Sequence, residues 1–549
     1  MSEYTIGIDF GTNSVRAIVA DVSSGAIRGS GVCNYEHGEQ GVIVDAKDPN
    51  LARQHPVDYL KGMEQAVSCA MDEAAIDPSR VCGIGVDATA STPIPLDSDG
   101  LALALKPEFS SHPAAMAWLW KDHTASAEAE EITARARELR PHYLRSCGGS
   151  YSSEWFWAKL LHCARTDPEI YGAAFSWIEL QDWIPFILTG QRTAGLCAAG
   201  HKGLYSVGWG GYPDEEFLAA VDSDLVRVRA TLPEQAHHLG HCAGSLSLEW
   251  AQRLGLPKDL PVAVGTIDAH SGAVGSGIRP GVMVKIMGTS TCDIAVMPLQ
   301  GALPEIPGIC GIASESVLPG FYGLEAGQSA VGDIFNWFVE QLEPGRGLTH
   351  EQLNEQASAL RPGESGLLAL DWNNGNRSVL VDPLLSGLIV GLSLHTSPAE
   401  IYRALIEATA FGARMITDRL KAYDVPIERI ITCGGISVKS PLAMQIYADV
   451  LDCPIEVSGN EQSCALGAAM AGAVVGGAHP GFKEAATSMC GSGDQTYQPN
   501  RENVTVYHEL FDLYANLQDL FGLGRAVVDT ASLMKHLIRI RDAVRCRSD

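Results

Sequence analysis

Gly7-Ile8-Asp9-Phe10-Gly11-Thr12-Asn13-Ser14, near the start of the chain, is answered past its midpoint by Lys285-Ile286-Met287-Gly288-Thr289-Ser290-Thr291. Each Gly-Thr step follows an apolar, β-branched run and leads into another, residues 15–21 after the first and 292–297 after the second. The pattern predicts a strand, a tight turn and a returning strand. Such a turn presents backbone N–H groups and hydroxyls together, the donors a phosphate chain needs. Gly11 aligns with Gly288, Thr12 with Thr289 and Ser14 with Thr291, at one constant offset. Two such hairpins half a chain apart predict two similar lobes holding one nucleotide from opposite sides.

The 549 residues exceed one compact core, and two domains of about 250 residues each are expected. The second lobe is placed near Pro261, giving domains 1–258 and 259–549. An apolar fraction of 46 % with 57 glycines suits an α/β enzyme and argues against disorder. A formal charge of −26 repels nucleic acid and anionic membranes, so neither is expected as a partner. The 14 cysteines include no Cys-x2-Cys pair and read as reduced thiols of a cytoplasmic protein. Met-Ser-Glu-Tyr runs straight into a strand pattern, so no leader peptide is expected. Residues 465–478 form the most apolar stretch, too short for a membrane span and read as a close-packed buried helix. The sequence leaves the oligomeric state open, a homodimer included.

Apolar runs bounded by Gly and Pro alternate with amphipathic segments, the signature of α/β winding. The pattern predicts helices over 58–75, 118–140 and 398–421, with strands at 81–86, 262–265 and 429–432. Residues 532–549, rich in basic side chains, read as a surface helix or a frayed tail. Trp155, Trp157, Trp177, Trp183 and Trp209 cluster between Gly148 and Gly211, as core packing or as a pocket wall.

Three places carry candidate chemistry. Asp9, at a strand end beside the first turn, can hold Mg²⁺ near phosphates or cap its own loop. Gly434-Gly435, after an apolar strand, allows close approach of adenine or ribose; with Ala465–Ala469 it reads as a nucleotide floor. Asp268 follows another strand end in Gly265-Thr266-Ile267-Asp268-Ala269. A carboxylate there can orient an alcohol and accept its proton during γ-phosphoryl transfer, and can cap the following helix as well.

These residues resemble the FGGY carbohydrate kinases. The resemblance rests on the paired Gly-Thr hairpins, the Asp268 loop, the Gly434-Gly435 turn, and a C-terminal signature at Gly387-Leu388-Ile389-Val390-Gly391-Leu392. It runs from about Thr5 to Gly524. It implies the two-lobed α/β fold shared by actin-like proteins, sugar kinases and heat-shock ATPases, with duplicated ribonuclease H-like domains around a central cleft. Finer motifs are similar to the branch that phosphorylates L-ribulose at its fifth-carbon hydroxyl: Asp87-Ala88-Thr89-Ala90-Ser91-Thr92-Pro93, Leu119-Trp120-Lys121-Asp122-His123, Ser152-Ser153-Glu154-Trp155, Ala199-Gly200-His201-Lys202 and Gly323-Leu324-Glu325-Ala326-Gly327-Gln328. By this resemblance Asp268 is the catalytic base, and Ala90, Trp120, Lys202 and Glu325 join it around the sugar. ATP would meet Gly11, Thr12, Asn13, Ser14, Gly288, Thr289, Ser290, Gln328, Gly434, Gly435 and Lys439, with Mg²⁺ at Asp9. Lys439 stands where several members carry Asn. The flat Trp120 and the charged Lys202 and Glu325 suit a sugar, although each also has a bland reading as core, solvated loop or helix-start charge. Kinases of other pentuloses or polyols, an actin-like or chaperone-type ATPase, and a silent sugar sensor are the alternatives.

Overall fold

A computed structural model describes residues 3–301, 303–342, 347–491, 493, 495–525 and 530–546. Two seven-stranded sheets organise it. The first runs Cys242–Ser245, Pro261–Ala263, Val81–Ala88, Tyr4–Phe10, Ser14–Asp21, Ile27–Asn34, with Thr266–Ile267 also paired to Val81–Ala88. The second runs Gly311–Ser314, Phe321–Ala326, Thr291–Pro298, Gly281–Met287, Ile427–Cys433, Ile455–Val457, Gln495–Tyr497. Each hairpin is an antiparallel pair, and its first strand lies parallel to a later one. The next strands outward repeat the match, antiparallel on the hairpin side and parallel on the other. Beyond these, Cys242–Ser245 and Gln495–Tyr497 each pair antiparallel, so six strands of each sheet agree in order and sense. Both first strands are almost wholly buried, as strands covered on two faces are.

Sheet membership corrects the boundary read from the sequence. Pro261–Ala263 and Thr266–Ile267 pair with Val81–Ala88 and so belong to the first sheet. Their backbone groups need that partner, and the second sheet begins only at Gly281.

The helix Pro56–Ala74 covers one face of the first sheet with Tyr59, Met63, Ala66, Val67 and Ala70. The helix Ser463–Val475, far along the chain, covers the other. A Cβ on Gly7 would meet the Ala465 carbonyl at 1.9 Å, and one on Gly85 the Ala468 carbonyl at 1.8 Å, so helix and strands touch backbone to backbone. The helix Asp268–Gly275 crosses Ser463–Val475 as tightly, through Gly275 and Gly467. One apolar core holds Ile18 and Ala20 of the first sheet, Val284 and Ile294 of the second, and Ala273, Ala465 and Ala469 of this helix pair. The lobes are thus joined through a common core rather than a linker.

The long helix is Pro398–Lys421, opened by a Ser397/Glu400 capping box with Pro398 in its first turn and closed with Arg419 and Lys421 in its last. The 118–140 expectation shortens: Ala117–Trp118 is a strand and the helix is Ser126–Leu139. Trp155, Trp157, Trp177 and Trp183 are buried in packed cores, with Trp209 half-buried. The terminal helix Thr530–Cys546 docks on the second lobe through Leu533, Leu537, Ile540 and Val544. All 14 cysteines are free, and among the described residues no helix is long and apolar enough to cross a membrane.

Candidate active site

Asp9 and Asp87 are register partners on parallel neighbouring strands, so their side chains leave the same face. Thr266 pairs with Asp87 and Ile267 with Ala88, which delivers Asp268 to the same sheet edge as the first residue of its helix. Three carboxyls therefore gather where the strands end. Asp9 and Asp87 are buried, and neither oxygen of Asp87 has a hydrogen-bond partner. Burial raises the pKa of both; Asp9 pushes Asp87 further up, whereas Arg16 tempers Asp9. Burial, then the charge of Asp9, pushes Asp268 up to about 7, while the Ala269 N–H donates to its Oδ1 at 2.6 Å. Buried carboxylate oxygens without donors are what a divalent cation takes as ligands, and Asp9 with Asp87 fits one.

Each Gly-Thr turn closes on its glycine N–H at 3.0 Å, Gly11 to the Ser14 carbonyl three residues on and Gly288 to the Ser290 carbonyl two residues on. The Thr12 hydroxyl accepts from the Trp120 indole N–H at 3.1 Å, tying a predicted sugar residue to a predicted phosphate turn. Asn13 donates to the Gln40 carbonyl. The Gly288 and Thr289 carbonyls accept from Gly332, Val331 and Asp333, seating the helix Gly332–Asn336 against the second turn. Beside it opens a cavity of 740 Å³ lined by Asp333, Asn336, Trp337, Asn373, Gly387 and Leu388. Gly434, at φ +96°, passes so close to Met287 that a Cβ would lie 2.4 Å from its carbonyl. Gly435 has open space above it, and Lys439 is exposed at the end of the short helix Gly435–Lys439.

A second charged group lies across from Asp268. Lys202 Nζ stands 2.9 and 3.1 Å from the two oxygens of Glu325, and Arg377 donates to Oε1 at 2.6 Å. His270, two residues beyond Asp268, puts Nε2 3.2 Å from Glu325 as an electrostatic contact, while its Nδ1 meets the Cys197 thiol at 2.7 Å. Burial would raise the Glu325 pKa, but Lys202, His270 and Arg377 hold it well below the usual carboxylate range. Burial likewise opposes the Lys202 charge, and Glu325 more than offsets it. His201, His270 and Glu325 bring potential metal-ligating atoms within 4.8 Å of one another. Glu325 already carries two cationic side chains, so this cluster has its positive complement built in and fits polar recognition better than a metal.

Two expectations fail. Gln328 is 4 % exposed and faces inward: its amide donates to Asp371 and the Thr409 carbonyl, and its Oε1 accepts from Lys285. With both ends of the amide satisfied inside the lobe, it has nothing to offer a nucleotide. Ala465–Ala469 is no nucleotide floor either, being buried against Gly7 and Gly85.

Asp87, His270 and Arg377 escape the sequence reading as site residues. Asp87 has a visible signal, since Gly7-Ile8-Asp9 recurs as Gly85-Val86-Asp87 on the next strand. Arg377 lies in irregular chain with no motif around it.

The chain matches the FGGY family of carbohydrate kinases, N-terminal domain, over residues 4–275, and the C-terminal domain of that family over 283–475. It is 41 % identical to a ribulokinase of Anoxybacillus flavithermus across 97 % of each chain. It is 40 % identical to one of Mycolicibacterium smegmatis, across 99 % of this chain and 98 % of that one. A crystal structure of a xylulose kinase from Brucella ovis superposes with a TM-score of 0.80 at 20 % identity, covering 95 % of this chain and all of that one, a likeness of fold.

Proposed function

This chain belongs to the FGGY family of carbohydrate kinases, and from that premise we propose that it transfers the γ-phosphoryl group of ATP to the fifth-carbon hydroxyl of L-ribulose. The observation that carries the reading is the placement of Asp268, a carboxyl with its pKa near neutrality between the paired acids and the Lys202–Glu325–Arg377 group.

The sugar lies against Trp120 and the Ala90 loop, with its polar edge on Lys202 and Glu325. Its terminal hydroxyl faces Asp268, which orients the O–H and accepts the proton as the oxygen attacks phosphorus. The backbone N–H groups of the two Gly-Thr turns, with Thr12, Asn13, Ser14, Thr289 and Ser290, cradle the phosphates from opposite lobes. Gly434, Gly435 and Lys439 take the adenosine side. Asp9 and Asp87 would hold Mg²⁺, which when bound neutralises charge on the phosphates. Closure of the lobes excludes water and aligns hydroxyl and phosphate. Free thiols throughout suit a reducing cytoplasm.

The test is a panel of pentuloses and pentitols with purified protein, Mg-ATP and a coupled assay for ADP. L-ribulose is expected to give the highest kcat/KM. Preference for D-ribulose or xylulose would assign another sugar, and ADP release indifferent to every sugar would leave a plain ATPase.

A further inference from the structure

Lys159, in the helix Phe156–Thr166, is fully buried, yet among the described residues its Nζ bonds no carboxylate. It donates instead to three carbonyls: Ser91 at 2.6 Å, Leu119 at 2.8 Å and Trp118 at 3.2 Å. An ammonium has three N–H donors, so this tripod satisfies every one of them. The three carbonyls belong to two separate segments, Ser91 in the loop after Val81–Ala88, and Trp118 and Leu119 at the end of the strand Ala117–Trp118. Ser91 follows Ala90 and sits at φ +49°, a conformation that a non-glycine residue holds only when its surroundings impose it. Leu119 precedes Trp120, and the two share a peptide group. Three carbonyl dipoles converging on one point repel each other unless a cation stands between them. Burial lowers the Lys159 pKa to about 7, against which three accepting carbonyls favour the protonated form. Next to Ser91, the Thr92 N–H donates to Glu179 at 2.7 Å, and Glu179 is the carboxylate that most opposes the effect of burial on Lys159. The Ala90 loop is therefore held on one side by the Lys159 Nζ and on the other by the Glu179 carboxyl.

We propose that Lys159 is the positioning residue of the sugar pocket, its three donors fixing the loop of Ala90 against the loop of Trp120. The inference rests on the reading of that pocket as the pentulose site. Lys159 does not touch the substrate; it sets the distance between the two walls that do. A planar guanidinium cannot reproduce a tripod, so arginine does not substitute for it.

The experiment measures KM for L-ribulose, KM for ATP and sugar-independent ATP hydrolysis in the wild type, Lys159→Met and Lys159→Arg. The sugar KM should rise by about tenfold to a hundredfold in both variants, with ATP KM and basal hydrolysis within a few-fold of wild type. Should the methionine variant fail to fold, the arginine variant, which keeps the charge, carries the same comparison. A residue that served stability alone would lower the active fraction and leave both KM values in place, and that result overturns the proposal. Wild-type protein that shows no pentulose-dependent ADP release removes the pocket reading and this inference with it. Pentulose-dependent release in the wild type with an unchanged sugar KM in the variants removes only the role of Lys159.

Discussion

A carboxyl that must accept a proton near pH 7 has to be brought there by its surroundings, and Asp268 is. Burial and the charge of Asp9 set its pKa to about 7. The ionised form is the base, so activity is present above that value and lost as pH falls through it. The kcat/KM for the sugar should therefore fall by about tenfold per pH unit below neutrality; a limb near pH 4, where an ordinary carboxyl titrates, would count against Asp268 as base. Asp268→Asn should lower kcat by about 10²–10⁴-fold while calorimetry finds ADP binding retained. At this scale the sequence is legible where function and local pattern coincide. Asp9 and Asp268 both end apolar runs, which is how they announce themselves. Asp87 matters only through its register with Asp9, 78 positions away along the chain, which is set by strand pairing and not by its neighbours. Gln328 misleads for the converse reason: it sits three residues from Glu325, but the turn after that strand swings its amide into the lobe core. Arg377 reaches Glu325 from irregular chain, where no period exists to read.

Among elements, the helix Ser463–Val475 has the narrowest tolerance. Its buried face is alanine and glycine because two strands approach it at Gly7 and Gly85 with no room for a side chain. Gly85→Ala places a methyl group against a carbonyl that cannot rotate away, and the backbone of helix or strand must give. The expected loss is about 1–3 kcal/mol, read as a lower urea midpoint; an unchanged midpoint would show that the contact is looser than drawn. Small residues in a short apolar run do signal close packing, and that much can be read from composition. What the helix packs against cannot, since its partners lie at the far end of the chain. The hairpins and the Pro398–Lys421 helix are legible for the opposite reason, because turns and caps are local chemistry.

In the whole molecule the matched strand orders make two lobes, but the core through Ile18, Ala273, Val284 and Ala465 makes them one folding unit. Residues 1–275 expressed alone should be collapsed and sticky, binding a hydrophobic dye and precipitating, whereas co-expression with 276–549 should return soluble, active enzyme. A soluble, well-ordered fragment would show that the first sheet tolerates an open face. The order of synthesis turns the same packing into a matter of timing. Strands Tyr4–Phe10 and Val81–Ala88 leave the ribosome early, while the helix that seals them ends at Val475. At about 5–20 residues per second the nascent sheet waits roughly twenty to eighty seconds for its cover. Through that interval its glycine-lined face is uncovered, so slower translation of the second half is expected to lower the soluble yield, read as the soluble fraction after expression at two elongation rates.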